Sequence, residues 1–312
     1  MKNLLVLSAK ADDYFNLLQE YNFPELEIVA YSSEDEARRS IRSSNIVLGE
    51  PLLVAKILHE ARCLEWVQST FAGVAALCAE GIRRDYILTG VKGIHGPLMG
   101  EYVFAYILAI ERHLFETKEN QTAKAWIDMP YRSLNGLTLG IAGLGSIGKQ
   151  LAKTALHFGM RVVGFKRTPA EIPGVERVFD GSSLGEFLGL LDYLVLVLPR
   201  TAATNGLVDY EAFKKMKSSA VIINVGRGNA IVEADLIRAL KNRLIRAAVL
   251  DVFEEEPLPA DSCLWGLTNA FITPHNAALS FPRDIIQIFY KNYQRFLENK
   301  PLYYVVDFKR GY

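Results

Sequence analysis

The feature that most constrains this chain is a glycine-rich turn between two apolar runs. Leu137–Ala142 is a short apolar run typical of a buried strand, residues 143–148 read GLGSIG, and Arg161–Phe165 is typical of a following strand. Between a strand and a helix, a GxGxxG sequence permits a tight turn, close approach of a pyrophosphate and close helix packing. The N–H groups of the helix N-terminus then face the phosphates. The predicted cofactor contacts in this turn are Gly143, Gly145, Ser146, Ile147 and Gly148.

The end of the following strand indicates which dinucleotide is bound. An NAD site usually has an Asp or Glu there, which accepts hydrogen bonds from the ribose hydroxyls. This chain has Lys166, Arg167 and Thr168 instead. A guanidinium can hold a 2′-phosphate through paired hydrogen bonds, whereas two solvated surface cations are the alternative interpretation. Because the acidic residue is also absent, the sequence favours NADP(H), with NAD as the alternative cofactor.

Length and composition are those of an ordinary two-domain globular protein. The chain has 312 residues, half of them hydrophobic, which is more than one typical core requires. Its 35 cationic and 35 anionic side chains balance. We therefore expect a small-molecule ligand, with neither a nucleic acid nor a membrane surface as partner.

The spacing of the cysteines and histidines indicates in which cell compartment the protein works and whether it binds a metal. Cys63, Cys78 and Cys263 have neither metal-binding nor CxxC spacing, as is typical of proteins in a reducing cytosol. The histidines show no metal-ligand spacing such as HExxH. Apolar runs such as Leu4–Leu7 are too short for a signal peptide or a membrane span. The expectation is a cytoplasmic protein without a metal.

Strand-like and helix-like segments alternate on both sides of the glycine turn, which predicts α/β units with parallel sheets. The strands expected before the turn are Leu4–Leu7, Glu27–Tyr31, Ile46–Leu48, Trp66–Ser69 and Tyr86–Thr89. Those expected after it, beyond Arg161–Phe165, are Tyr193–Leu198, Ala220–Asn224, Ala247–Leu250 and Phe271–Thr273. The helices expected in the first part are Asp12–Tyr21, Glu34–Ser43, Pro51–Ala61 and Gly73–Gly81.

Two further helices determine the expected domain boundaries. The central part of Pro97–Phe115 is apolar nearly all round, which is typical of a helix buried between domains or subunits. Pro282–Glu298 is amphipathic and is expected to return to the first α/β unit. We therefore expect two Rossmann-like or flavodoxin-like domains with the active site in the cleft between them. Residues 1–97 and 280–312 would form a discontinuous substrate-binding domain, and residues 98–279 the dinucleotide-binding domain.

Three later segments each place a polar residue just beyond a predicted strand, where open α/β sheets bind their ligands. Arg227 lies in a glycine-flanked turn, carboxylates follow in the LDVFEEEPLP sequence of residues 250–259, and His275 ends a TPH sequence. Taken singly, these are more typical of a surface cation, a solvated loop and a turn. Together, after a dinucleotide motif, they favour a catalytic site.

The GLGSIG, NVGRG, LDVFEEEPLP and TPHNAA sequences occur in the order and spacing of the D-2-hydroxyacid dehydrogenase family. The chain resembles this family over essentially its whole length, and most closely its short bacterial glyoxylate/hydroxypyruvate reductases. The resemblance implies that Arg227, Glu256 and His275 are the catalytic residues, with Glu256 assigned by its place immediately before Pro257. It also implies a D-configured product.

The chemistry of a 2-oxo acid requires these residue types. A guanidinium such as that of Arg227 can hold the carboxylate and the neighbouring carbonyl together. The carbonyl oxygen needs a proton as hydride arrives, and an imidazole such as that of His275 is the usual donor near neutral pH. A carboxylate beside that imidazole, here Glu256, favours its protonated form and orients the ring.

Further contacts are expected around this centre. By the resemblance, the loop after Leu198 lies along the cofactor, Asp251 accepts from the nicotinamide carboxamide, and residues 72–74 bind the substrate carboxylate through N–H groups. The remaining predicted cofactor contacts are Leu198, Pro199, Thr204, Val225, Gly226, Asp251, His275 and Ala277. The predicted substrate contacts are Ala72, Gly73, Val74, Arg227 and His275, although Gly73 suits an ordinary tight turn equally well.

The chain departs from the family's common sequences near these contacts. Ala75 follows Gly73-Val74 where the family often has Asp or Asn, and residues 93–99, which include His95, replace its frequent Asn-x-Pro-Gly. Substrate preference is therefore not transferred from any member. Trp126 lies in a segment similar to one that crosses the family's dimer interface, so it is expected either to anchor a homodimer or to pack locally.

These observations predict an NADPH-dependent reductase of small 2-oxo acids such as glyoxylate or hydroxypyruvate. The alternative is a nucleotide-sensing binding protein, similar to the transcriptional corepressors that share this fold and retain similar catalytic residues. Turnover of glyoxylate would favour the enzyme, and tight NADPH binding without turnover of any keto acid would favour the sensor.

Overall fold

The computed structural model describes residues 1–311, which divide into two compact units. One comprises Met1–Ile94 and the segment that begins at Ser280, and the other comprises His95–Leu279. Each unit contains one fully parallel sheet. The predicted α/β class with two parallel sheets is confirmed. Within residues 1–311, no helix combines the length and apolar character needed to cross a bilayer.

The first unit has a five-stranded sheet in the order β2-β1-β3-β4-β5. Its strands are β1 Lys2–Leu7, β2 Leu26–Tyr31, β3 Ile46–Gly49, β4 Trp66–Ser69 and β5 Ile87–Thr89. Its α-helices are Ala11–Gln19, Glu34–Ile41, Pro51–Ile57, Ala75–Cys78 and Pro282–Leu297, and Leu58–Glu60 is a 3₁₀-helix. The predicted helix Gly73–Gly81 is thus a single turn, since residues up to Val74 belong to the connection from β4.

Apolar residues of this sheet alternate between two cores, which is why its strands are continuous hydrophobic runs. Leu5 and Leu7 pack on one face, whereas Leu4 and Val6 pack on the other. The second face is covered by the helix Pro282–Leu297, and its Phe289 ring stacks on Trp66 with centroids 5.0 Å apart.

The second unit has a seven-stranded sheet in the order β12-β11-β10-β9-β6-β7-β8. Its strands are β6 Thr138–Ala142, β7 Arg161–Phe165, β8 Arg177–Phe179, β9 Tyr193–Leu196, β10 Val221–Asn224, β11 Ala247–Leu250 and β12 Ala270–Ile272. Its α-helices are His95–Glu111, Leu114–Thr122, Ser146–His157, Leu184–Leu190, Tyr210–Lys215 and Glu233–Lys241. Its 3₁₀-helices are Gly181–Ser183, Gly228–Ala230 and Cys263–Gly266. All strands run parallel, and the strand order reverses between β6 and β9, which is the position where doubly wound sheets bind ligands.

The segment Pro97–Phe115, whose apolar central part predicts a helix, contains residues of two helices. The first ends at Glu111, and the second begins at Leu114 after His113 adopts a left-handed φ of 51°. The first helix packs Val103 and Ile107 into the same core as Ile141 of β6. The helix predicted from the apolar central part is therefore present, and it ends before Phe115 because a residue in the left-handed region interrupts the helical hydrogen bonds.

Trp126 follows the second of these helices, and its side chain is fully exposed. The interpretation that it packs locally is therefore wrong. The homodimer stays a prediction.

A buried carboxylate ties the amino-terminal edge of the second sheet together. Glu111, which is 1% exposed, accepts hydrogen bonds from Arg132, the Tyr193 hydroxyl and Arg246 at 2.6–3.1 Å. Burial alone would raise the pKa of Glu111, but the bonds from Arg132 and Tyr193 outweigh burial and hold this pKa below its ordinary value. These bonds compensate the charge of Glu111. They also join the end of the helix His95–Glu111 to the starts of β9 and β11.

We expect Glu111→Ala to lower the free energy of unfolding by about 3–5 kcal/mol, since it leaves two arginines without their buried partner. Urea denaturation at pH 7 measures this change. Because the folded-state pKa is depressed, the contribution is present above the ordinary glutamate pKa and disappears as pH falls through the folded value. Glu176→Ala is the control: its pair with Arg161 is exposed and should contribute at most about 1 kcal/mol. Equal losses for both variants would contradict the assignment.

Candidate active site

The glycine turn lies at the carboxyl end of β6 and has the close contacts that its sequence predicts. Gly143 has φ +104°, and a Cβ atom there would lie 2.4 Å from the Val197 carbonyl oxygen. A Cβ on Gly148 would lie 2.1 Å from the Gly143 oxygen, so helix and turn require glycine. By contrast, a Cβ on Gly145 would meet no described atom within 4 Å. The turn is therefore packed on the protein side and open at Gly145.

The helix Ser146–His157 begins directly after this open position. Gly145 is its N-cap residue, and no side chain caps the helix. Its first N–H groups are consequently available to an anionic ligand, as helix N-termini in phosphate sites are. At the neighbouring strand end, β7 stops at Phe165, Lys166 is partly exposed, and Arg167 and Thr168 are exposed. Within residues 1–311, neither cationic side chain has an ion-pair partner.

Other predicted cofactor contacts lie around the same sheet edge. Thr204 accepts from the Thr201 N–H at 3.0 Å and donates to the Pro199 carbonyl at 2.7 Å, so its hydroxyl holds the loop after Leu198 in shape. Val225 and Ala277 are buried in the core on one face of the sheet. Their roles toward a cofactor stay predictions.

Arg227 is positioned by tight turns. Asn224, the last residue of β10, donates its amide to the Arg227 carbonyl at 3.1 Å and accepts from the Gly226 N–H at 3.2 Å. A Cβ on Gly228 would lie 1.8 Å from the carbonyl carbon of Phe253. Only glycine therefore allows the turn that carries Arg227 to pack against the turn that follows β11.

The guanidinium of Arg227 is partly removed from solvent and lies near the carboxylate of Glu256. Burial lowers the pKa of Arg227, and the negative charge of Glu256 opposes that effect. An arginine nevertheless stays protonated at all physiological pH values. A partly desolvated cation of this kind interacts more strongly with an anionic ligand than a fully solvated one does.

Glu256 and His275 form a direct pair. The Glu256 Oε2 atom lies 2.7 Å from His275 Nδ1, and Glu256 Oε1 accepts from the Phe253 N–H at 2.9 Å. The backbone bond fixes the carboxylate, and the carboxylate in turn fixes the ring. The Nε2 atom is left for a ligand, and the His275 side chain is 52% exposed. The structure thus brings together the three predicted catalytic residues at one sheet edge.

His275 itself occupies a constrained turn that the sequence analysis did not foresee. Its φ is 51°, and its N–H donates to the Asp251 carbonyl at 2.9 Å. The Asp251 side chain is buried, and its Oδ1 atom accepts from the Thr273 hydroxyl at 2.6 Å and from the N–H groups of Asn276 and Ala277 at 2.9 and 3.1 Å. Asp251 therefore organises the turn, whereas its expected contact with a carboxamide stays a prediction.

Tyr102 completes this network from a distant helix. Since the Thr273 hydroxyl donates to Asp251, it accepts from Tyr102, whose hydroxyl lies 2.7 Å away. Sequence reasoning missed both Tyr102 and Thr273. The only signal was a tyrosine within an apolar helix, which by itself is an ordinary core residue.

The predicted substrate loop belongs to the first unit. Ala72 and Gly73 are exposed, Val74 is buried, and the short helix Ala75–Cys78 follows them. The Ser69 hydroxyl donates to the Phe71 carbonyl at 2.6 Å and accepts from the Phe71 N–H at 3.0 Å. These bonds fix the chain where it leaves β4, just before the loop.

The doubly wound sheet, the glycine turn and the paired histidine and carboxylate define a dinucleotide-binding oxidoreductase. Residues 104–277 match the family model described as "D-isomer specific 2-hydroxyacid dehydrogenase, NAD binding domain". The chain belongs to the D-isomer specific 2-hydroxyacid dehydrogenase family, which confirms the resemblance and the enzyme class drawn from the sequence.

Individual relatives agree with this assignment. Glyoxylate/hydroxypyruvate reductase A of Yersinia enterocolitica is 34% identical over 214 residues, which are 69% of this chain and 68% of that protein. The structure of a D-isomer specific 2-hydroxyacid dehydrogenase family protein from Aeromonas salmonicida has a TM-score of 0.96 and 45% identity, covering 98% of this chain and 99% of that one. NADPH-dependent glyoxylate/hydroxypyruvate reductase of Sinorhizobium meliloti, solved with NADP and sulfate, has a TM-score of 0.89 and 29% identity over all of both chains.

The network at His275 generates a matched pair of variants. Thr273→Val keeps the side-chain shape but removes the hydrogen bonds to Asp251 and Tyr102. If each lost bond raises the activation free energy by about 0.7 kcal/mol, kcat should fall about tenfold. Thr273→Ser keeps the hydroxyl and should restore most of the activity. If both variants behave alike, the hydroxyl does not position His275.

Proposed function

We propose that this protein reduces small 2-oxo acids, such as glyoxylate and hydroxypyruvate, to D-2-hydroxy acids with NADPH. The single observation that carries this proposal is the 2.7 Å pair between Glu256 and His275, next to the partly desolvated Arg227 at the ligand-binding edge of the sheet. A guanidinium with a proton-donating imidazole suits a carbonyl beside a carboxylate. The names of the Yersinia and Sinorhizobium relatives support this substrate class.

The residues present fit a dinucleotide. The open position at Gly145 and the uncapped helix at Ser146 offer N–H groups to a pyrophosphate. Lys166 and Arg167 would hold the 2′-phosphate, with Thr168 beside them. When bound, the reduced nicotinamide supplies the hydride. The relative from Sinorhizobium solved with NADP supports NADPH as the preferred form.

In this mechanism, Arg227 binds the carboxylate and carbonyl oxygens of the oxo acid and aligns the carbonyl carbon. His275 protonates the carbonyl oxygen from its Nε2 atom as charge develops there. Glu256 stabilises the imidazolium form of His275 that donates this proton, and it keeps the ring in place. The N–H groups of Ala72, Gly73 and Val74 are proposed as further ligands of the substrate carboxylate.

Replacement of the proposed acid tests this mechanism. We expect His275→Ala to lower kcat for glyoxylate by about 10²–10⁴-fold, the usual contribution of a positioned general acid, with NADPH affinity changed less than about threefold. NADPH oxidation at 340 nm measures the first quantity, and fluorescence titration measures the second. His59→Ala, at an exposed position of the first unit, is the control. Undiminished turnover in His275→Ala would remove the proposed role, and NADPH binding without turnover in the unmodified protein would indicate a sensor.

A second substitution tests the preferred cofactor. Arg167→Ala should weaken NADPH binding by about tenfold or more while leaving NADH affinity nearly unchanged, because only NADPH carries the 2′-phosphate. Arg161→Ala, at the opposite end of the same strand, removes an equal charge and serves as the control. Titration of both nucleotides against each variant gives the comparison. Equal losses for NADPH and NADH would exclude a 2′-phosphate contact.

A further inference from the structure

A group of polar side chains lies at the carboxyl edge of the five-stranded sheet, outside the catalytic centre described above. Ser8 follows β1, Glu50 follows β3 and Thr70 follows β4, and these three strands are neighbours. The Glu50 N–H donates to the Leu7 carbonyl at 2.9 Å, and the Thr70 N–H donates to the Gly49 carbonyl at 3.0 Å. The parallel ladder therefore continues through these residues and places their side chains at one edge.

The Glu50 carboxylate is held in one orientation. Its Oε1 atom accepts from the Ser8 hydroxyl at 2.7 Å and from the Ala9 N–H at 2.8 Å. Gly49 packs so closely that a Cβ there would lie 2.6 Å from Val54, which fixes the backbone just before Glu50. Within residues 1–311, the Oε2 atom of Glu50 accepts no hydrogen bond. A fixed carboxylate therefore keeps one oxygen for a ligand.

Two hydroxyl groups lie beside this carboxylate. Thr70 is 1% exposed, and its hydroxyl lies near enough to that of Tyr14 to lower the pKa of this phenol, but its Oγ1 atom makes no well-formed hydrogen bond among the described residues. Burial raises the pKa of Tyr14, and the charges of Glu50 and Asp13 raise it further, so this phenol remains a donor. A buried hydroxyl without a well-formed hydrogen bond is rare in folded proteins and calls for an explanation.

We infer that Glu50, Tyr14 and Thr70 form a subsite for the far end of the substrate, and that it accepts a hydroxyl group and disfavours a second carboxylate. This inference rests on the proposed function, in which residues 72–74 bind the substrate carboxylate two residues beyond Thr70. A hydroxyl on carbon 3 would donate to the free Glu50 oxygen and accept from a neighbouring hydroxyl. A second carboxylate would meet like charge, which is costly where solvent is partly excluded.

The test compares substrates and one isosteric variant. Unmodified protein should show a kcat/KM for hydroxypyruvate at least about tenfold above that for oxaloacetate, and Glu50→Gln should reduce this ratio about tenfold. Glutamine keeps an acceptor for Ser8 and Ala9, so folding should be preserved. Glu27→Gln is the control, because it removes the same charge from an exposed position of β2 that pairs with Asn3 near the opposite edge.

A binding measurement separates this inference from the proposed function. With NADPH present, D-glycerate and D-malate form complexes that cannot react, and calorimetry gives their Kd values. Tighter binding of D-glycerate, reduced by Glu50→Gln but not by Glu27→Gln, supports the subsite even if turnover fails and the proposed function falls. An unchanged preference in Glu50→Gln, or an equal loss for glyoxylate, which has no carbon 3, would overturn it.

Discussion

The carboxylate of Asp251 connects the sheet to the turn that carries His275, the predicted general acid. It lies at the end of β11, is almost fully buried, and receives hydrogen bonds from a hydroxyl and two backbone N–H groups of the turn that follows β12. A buried charge is tolerated only when its hydrogen-bonding capacity is used, so this carboxylate and this turn require one another. The left-handed conformation of His275 is stable because the surrounding bonds determine it. Without that turn, the ring of His275 would have no fixed direction toward Glu256.

The pair between Glu256 and His275 acts through orientation more than through stability. Both side chains are partly solvated, and an ion pair in that setting contributes at most about 1 kcal/mol to folding. Its value lies in preorganisation: the Phe253 N–H fixes the carboxylate before any substrate arrives. The structural charge network around Glu111 lies at the other edge of the sheet, where β9 and β11 begin. The structural charges and the predicted catalytic charges thus lie at opposite edges of the same sheet.

Local sequence was sufficient for those parts of the site whose geometry is local. The GLGSIG turn, Arg227 and His275 each follow directly from a strand end, so their common edge could be predicted from strand order alone. The contact between Tyr102 and Thr273 joins residues 171 positions apart, and no periodicity reports such a pairing. The break at His113 was not marked by the local pattern either, because the apolar residues Leu114 and Phe115 continue past it, although histidine is one of the residues enriched in the left-handed region. Strand β8 was not predicted because it lies at the edge of the sheet and buries only Phe179 fully, so it has no continuous apolar run.

The two units differ in how strongly backbone packing restricts the residues near the predicted site. In the second unit, Gly143, Gly148 and Gly228 cannot carry a side chain without overlapping backbone atoms, so the framework that holds the catalytic groups leaves little freedom. In the first unit, a Cβ on Gly49 would lie 2.6 Å from the Val54 side chain, whereas Glu50 directly after it is held by side-chain hydrogen bonds that do not belong to the strand ladder. The predicted catalytic residues therefore depend on a backbone that packing fixes. If Glu50 contacts the substrate as proposed, selection among oxo acids can change through its side chain, because that side chain is not part of the packed turns.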